Sequence, residues 1–263
     1  MRHFLVTLEY DGTDFAGWQK QPGLRTVQGE LEKALRLISG RDTAVTGAGR
    51  TDRGVHAAGQ AASFSIPWKS SPDVLANALN AKVPTDIAVT QAWEVPAWTS
   101  ARRDAVSRRY RYAFLLKPVR SPLLERQAYR VEKKPDIKAM RKAVGMFRGI
   151  HDFSAFSRGS DEGGMGRRRI TLCTLTRSGP FLYLDIETGG FLRHMVRNIA
   201  AAVLGVGLGV IDLGAIRKAL SGETTRPPLG MLPACGLTLT RVNYRLQKGG
   251  SKSPGSGGEI IPP

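Results

Sequence analysis

Cysteine is almost missing from this chain. Only Cys173 and Cys235 are present, far apart in sequence, and no C-x-x-C pair exists, which excludes a zinc ribbon or a dithiol redox motif. Two reduced, partly buried thiols are the expectation. No run of about 18 apolar residues occurs, so no segment reads as a membrane span. The first ten residues alternate like a strand and lack the apolar block of a signal peptide, so the expected location is cytoplasmic. Histidines are few, and neither His56 nor His194 has Cys, Asp or Glu at ligand spacing, so no metal site is expected. Negative charge is scarce as well: Asp plus Glu number 22 against 39 Lys plus Arg.

That imbalance gives a formal net charge of +17, which favours a polyanionic partner. A composition that simply uses arginine freely accounts for the same number. Charge also fails to separate an enzyme acting on RNA from a non-catalytic basic RNA-binding protein. The 263 residues, 41% hydrophobic, are enough for one large domain or two small ones, each with a core.

Periodicity sets out the elements. Residues 3–10 alternate, with Phe4, Val6, Leu8 and Tyr10 on one face. Residues 27–39 carry a helical stripe of Val27, Leu31, Leu35 and Ile38, with Thr26 as N-cap and Gly40 as stop. Residues 43–46 read as a short strand and 61–66 as a longer one. Residues 107–116 alternate, with Tyr110, Tyr112, Phe114 and Leu116 opposite Arg109 and Arg111. Asp136 caps a helix that buries Ile137, Met140, Val144 and Phe147. Residues 181–187 form a strand and 191–206 the most apolar helix. Asp212 caps a last helix ending near Gly222, and residues 236–244 close as a strand. The expected fold class is α+β with mostly antiparallel pairing, in two loosely similar halves, 1–105 and 106–246. The tail, 247–263, is Gly, Ser, Pro and Lys and is expected to be disordered.

Chemistry concentrates in Gly47-Ala-Gly-Arg-Thr-Asp-Arg-Gly-Val-His-Ala57. Three glycines in eight residues permit unusual backbone angles and close approach of a ligand. Among them stand one carboxylate, Asp52, and two guanidinium groups, Arg50 and Arg53. A free Asp titrates near a pKa of about 3.9, and adjacent arginines hold it ionised. That suits a nucleophile or an anion anchor and does not suit a general acid. A plain turn, in which Asp52 bonds backbone amides and the arginines are solvated, uses the same residues and is the commoner arrangement. The spacing matches neither a P-loop nor a dinucleotide-binding motif.

Arg50-Thr-Asp-Arg-Gly-Val-His56 closely resembles the active-site loop of the TruA family of tRNA pseudouridine synthases. The resemblance continues in order through Tyr10-Asp-Gly-Thr-Asp-Phe-Ala-Gly-Trp-Gln19, Thr26-Val-Gln28, Leu79-Asn80, Val83-Pro-Thr-Asp-Ile87, Arg108-Arg-Tyr-Arg-Tyr112, Asp152-Phe153 with Phe156, Phe191-Leu-Arg-His-Met-Val-Arg-Asn-Ile199 and the closing Gly236-Leu-Thr-Leu and Val242-Asn-Tyr244. It implies a pseudouridine-synthase-like fold with a cleft between the halves. It places the nucleophile at Asp52, an arginine at Arg50, the active-site tyrosine at Tyr110 and a helix arginine at Arg197. It also implies action on the anticodon stem-loop of tRNA, no cofactor or metal, and a homodimer. Two departures stand out. The family's Phe-His-Ala-Arg appears as Thr99-Ser-Ala-Arg102, and the loop from Gly159 to Arg169 with its three arginines is atypical in length.

Those residue types suit the chemistry. Pseudouridine formation breaks the uracil N1–sugar bond, turns the base and joins C5 to the same sugar carbon, and a carboxylate divides that step by attacking either the sugar or C6. The base must leave its stack, at a cost of a few kcal/mol, and a Tyr face returns about 1–3 kcal/mol. On residue pattern alone Tyr110 reads equally as a strand aromatic. Arg197 in an apolar helix needs a partner, and Asp52 is the expected one; the wet side of an amphipathic helix with Arg193, His194 and Asn198 is the other reading. Arg102, Arg103, Arg108, Arg109, Arg111 and Arg167, Arg168 and Arg169 are expected to meet phosphates, and His194 to touch RNA. A metal-dependent nuclease would need clustered carboxylates, which the Asp52 loop lacks.

Overall fold

The computed structural model describes residues 1–157 and 166–245. The tail and most of the Gly159–Arg169 loop therefore lie outside the described residues. In chain order the elements are β1 (Arg2–Tyr10), α1 (Val27–Ser39), β2 (Thr46–Gly47), β3 (His56–Ile66), α2 (Pro72–Asn80), β4 (Ile87–Glu94), β5 (Ala105–Leu116), β6 (Tyr129–Val131), α3 (Ile137–Met146), β7 (Gly149–Asp152), β8 (Arg167–Ser178), β9 (Phe181–Thr188), α4 (Met195–Gly207), α5 (Leu213–Leu220) and β10 (Leu237–Tyr244). The α+β class holds, and of the pairings with a resolved register only β5 with β6 is parallel.

By packing the chain divides into two compact units, Met1–Arg108 with the described residues from Leu239 onward, and Arg109–Thr238. In the first unit the strand order is β4-β1-β3-β10, with β2 added on β3. Phe4, Val6 and Leu8 are fully buried, as alternation requires. The other face of β1 is covered too, because Leu5 packs with Ala48, Ala61, Ala101 and Tyr244. Helix α1 is held at its start by Thr26, whose side chain accepts from the Gly29 amide, and stopped at Gly40 in the left-handed region. Its stripe of Val27, Leu31 and Leu35 is fully buried, worth about 1.5–3 kcal/mol per side chain.

In the second unit β5, β9, β8 and β7 lie side by side in that order, with β6 on β5. Phe147, Phe153 and Phe156 form an aromatic cluster, with ring centroids 5.4 to 6.5 Å apart. Helix α4 is buried along almost its whole length.

Three expectations are corrected. The apolar helix starts at Met195, not at 191, because His194 adopts φ 64 and ψ 1, a left-handed conformation that no α-helix can pass through. Arg167, Arg168 and Arg169 open strand β8, paired with Asp152, His151 and Ile150 of β7, and so are not loop residues. The expected strand at 43–46 contracts to Thr46–Gly47.

Candidate active site

The segment between β2 and β3 is fastened carbonyl by carbonyl. The Ala48 amide donates to Ala61 O at 2.8 Å. The Ala48 carbonyl accepts from Arg108 Nη2 at 2.8 Å and from Nε at 3.3 Å. The same guanidinium reaches Arg102 O at 2.7 Å and Ala105 O at 3.1 Å, so one planar fork ties three backbone stretches. Gly49 O accepts from Gln60 Nε2 at 2.9 Å. Thr51 O accepts from the Trp18 amide at 3.0 Å, and the Thr51 hydroxyl is 2.8 Å from Tyr10 Oη. Burial pushes the Tyr10 hydroxyl up to about 12, although its bonds to Thr51 and Gln60 work the other way, so it stays protonated under the loop.

Two glycines are required by geometry. Gly54 has φ 77 and is the third residue of a turn closed by the Val55 amide on Asp52 O at 3.1 Å. At Gly47 a Cβ would lie 2.4 Å from the Trp18 indole, so only glycine lets that ring pack against the strand. The result is a backbone set by bonds to its surroundings, with Asp52 half-buried and Arg50 and Arg53 exposed on either side. The turn closes through the Asp52 backbone carbonyl.

His56 sits at the exit. Its Nδ1 lies 3.1 Å from the Gly12 amide and 3.1 Å from Asp11 Oδ1, and its Nε2 is buried without a hydrogen-bond partner. It fastens the 11–19 loop to β3. Arg25 secures the same loop from the other end, with a two-pronged bond to Asp86 at 2.7 and 2.8 Å and its guanidinium 4.1 Å from the Phe15 ring centre.

In the second unit Tyr110 is buried on β5, edge-on to Phe191 with centroids 5.0 Å apart and rings at 85°. Arg197 is half-buried in the first turn of α4, and its Nε donates to Leu232 O at 2.7 Å. Its neighbour Asn198 is buried and donates to Phe156 O at 2.7 Å, so this part of α4 is no wet face. Arg109 pairs with Glu187 at 2.8 Å. Arg111 pairs with Asp185 at 3.0 Å and lies 4.6 Å from the Tyr183 ring centre, and that carboxylate raises its pKa. Arg102 and Arg169 are exposed. Among the described residues no group of three His, Cys, Asp or Glu is placed to hold a metal ion.

The residues that support the Asp52 loop, Tyr10, Gln60 and Arg108, are not marked as such by the sequence. Gln60 did carry a signal: it is a lone amide in the otherwise small and apolar run Ala57-Ala-Gly-Gln-Ala-Ala-Ser-Phe64 and is fully buried. Arg108 was expected at a phosphate and is instead engaged with carbonyls.

The chain matches the tRNA pseudouridine synthase family over residues 7–101 and 143–245. It belongs to that family. This synthase is 42% identical over 245 residues to tRNA pseudouridine synthase A of Geobacter sp. (strain M21), covering 93% of this chain and 99% of that one. The tRNA pseudouridine synthase A of Roseiflexus castenholzii is 41% identical, with 93% of this chain and 91% of the other covered. That of Neisseria gonorrhoeae is also 41% identical, with 92% covered in both. A solved Cbf5-Nop10-Gar1 complex is a distant likeness, 11% identical over 76% of this chain and 54% of that one, with a TM-score of 0.29 that is too low to set the synthase beside it.

Proposed function

We propose that Asp52 is the nucleophile with which this synthase isomerises uridines in the anticodon stem-loop of tRNA. The N1–sugar bond breaks, the base turns, C5 joins the same sugar carbon, the C5 proton leaves and N1 gains one. Bonds and electrons balance without oxidant or hydrolysis, so the reaction itself asks for neither cofactor nor metal. The carboxylate adds to the sugar carbon or to uracil C6, and Asp52 serves either route.

The other roles follow by chemical type. Tyr110 offers a face to the extruded base and a hydroxyl for loss of the C5 proton. Arg50 and Arg197 are the supporting cations. Arg102, Arg169 and His194 contact RNA. Arg109 and Arg111 have part of their charge answered by Glu187 and Asp185, which makes them the weaker phosphate ligands of the set. The enzyme acts in the cytoplasm as a homodimer; among the described residues no helix is long and apolar enough to cross a membrane.

The observation that supports this reading most directly is the fastened loop: bonds from Arg108, Gln60 and Trp18 to its carbonyls fix the backbone that carries Asp52 between Arg50 and Arg53. The test is release of tritium from tRNA labelled at uridine C5. Asp52→Asn should fold, bind tRNA and release none. Full release by that variant would remove the nucleophile role, whereas failure of the wild type to release tritium would favour a non-catalytic RNA-binding protein.

A further inference from the structure

A cavity of about 520 Å³ opens on the first unit, and of the residues assigned above only Arg103, expected at a phosphate, belongs to its walls. Its lining includes Thr46, Ser63, Ser65, Trp98, Ser100 and Arg103. The walls are polar and fixed. His3 is committed at both ring nitrogens, to Ser65 Oγ at 2.7 Å and to Thr99 O at 2.8 Å. Ser63 Oγ accepts from the Ala101 amide at 3.1 Å, which leaves its own proton to donate. The rim is different. Trp98 is 65% exposed, an unusual cost for so large an aromatic, and Arg103 is exposed beside it with Nη2 3.4 Å from Trp98 O. Asp42, also on the wall, is 3.4 Å from Arg36, which offsets its charge. Thr99 and Ser100, where the sequence departs from its family's pattern, both line the cavity.

The volume suits one nucleotide. An exposed indole offers a stacking surface that any base can use, an adjacent guanidinium matches a phosphate, and hydroxyl-lined walls match sugar and base edges. Thr46 on the wall lies six residues before Asp52, so the chain itself limits their separation to about 20 Å. A nucleotide in the cavity therefore belongs a few positions along the strand from the reacting uridine.

We propose that this cavity is a second RNA subsite, which takes an unpaired nucleotide of the substrate with its base on Trp98 and its phosphate at Arg103. It rests on the reading that the chain works on tRNA.

The test uses the full-length enzyme and stem-loop RNAs, each lacking one base of the loop. Trp98→Ala should weaken binding of the intact RNA about tenfold, and Trp98→Phe should restore most of it. One base deletion should weaken wild type by a similar factor and leave Trp98→Ala no weaker, since both remove the same contact. Arg103→Gln should weaken binding a few-fold and lower the salt slope by about one. Turnover at saturating RNA should stay unchanged in all three, and these exposed positions should leave the melting temperature within about 1 °C. Equal affinity of Trp98→Ala and wild type overturns the proposal. So does a change in sedimentation with RNA affinity intact, which would make the face a contact between copies. Failure of the wild type to form pseudouridine would sink the Asp52 reading instead, so the two failures are distinguishable.

Discussion

Asp52 and Asp152 both stand at turns beside a strand, and the two turns are built in opposite ways. At Asp152 the carboxylate makes the turn, accepting the Ser154 amide at 2.8 Å and the Ser154 hydroxyl at 2.6 Å. Those bonds hold its pKa below the ordinary carboxylate value. At Asp52 the turn closes through the backbone, and the surrounding carbonyls are held by Arg108, Gln60 and Trp18. One aspartate supports its own loop. The other is supported by residues far away in sequence. The two turns thus differ in which atoms close them, a side chain at Asp152 and the backbone at Asp52.

The largest expected effect tests the comparison directly. Asp52→Asn should lower pseudouridine formation at least about a thousandfold, whereas Asp152→Asn, whose amide oxygen can still accept the Ser154 amide, should stay within about twofold. Equal losses in tritium release would erase the distinction. Next comes the support. Arg108→Ala should lower kcat by about tenfold to a hundredfold through a displaced loop, with the Kd for tRNA and its salt dependence unchanged. A weaker Kd with normal kcat would return Arg108 to the phosphate ligands. Gly54→Ala forces an L-residue to φ 77 and should cost about 1–2 kcal/mol in urea melts, with a parallel loss of activity.

The smallest effect is the pH dependence of the Asp152 turn. Its folded pKa is lowered, so its contribution is complete above the unfolded value of about 3.9 and disappears as pH falls through the lower folded value. Asp152→Ala should therefore cost at most about 1 kcal/mol at pH 7, a figure reduced by solvent exposure, and almost nothing in strong acid. The Asp52 turn closes through backbone atoms, and the Tyr10 hydroxyl beneath it, pushed up to about 12 by burial, keeps its proton throughout that range.

Much of this was legible. Helix α1 could be read end to end because its cap, stripe and stop are all local signals. Strands β1, β3, β5, β9 and β10 could be read from the sequence, whereas β4, β6 and β7 were not read. Helix α2 escaped although Ser71 caps it and Pro72 opens it, a start signal that the short apolar stripe after it did not reinforce. Strand β8 escaped for a physical reason: its register shifts between Ile170 and Leu172, which moves the buried set to Cys173 and Leu175 and breaks the period of two. No sequence rule anticipates a left-handed histidine, so the start of α4 was misplaced by four residues. At the site, the loop announced itself by glycine, arginine and aspartate in close order. Its supports did not, because a bond between Arg108 and Ala48 spans sixty residues and leaves no local trace.

Strand β10 has a consequence for how the protein is made. The first unit needs it beside β3, where Gly59 meets the Thr240 backbone so closely that a Cβ would lie 2.5 Å from the carbonyl oxygen. On the ribosome that strand emerges after every other described element, so the sheet bearing the Asp52 loop waits, with one edge open, until the whole of the second unit has been made. A fragment ending at residue 108 would keep the whole loop and lack the strand that completes its sheet.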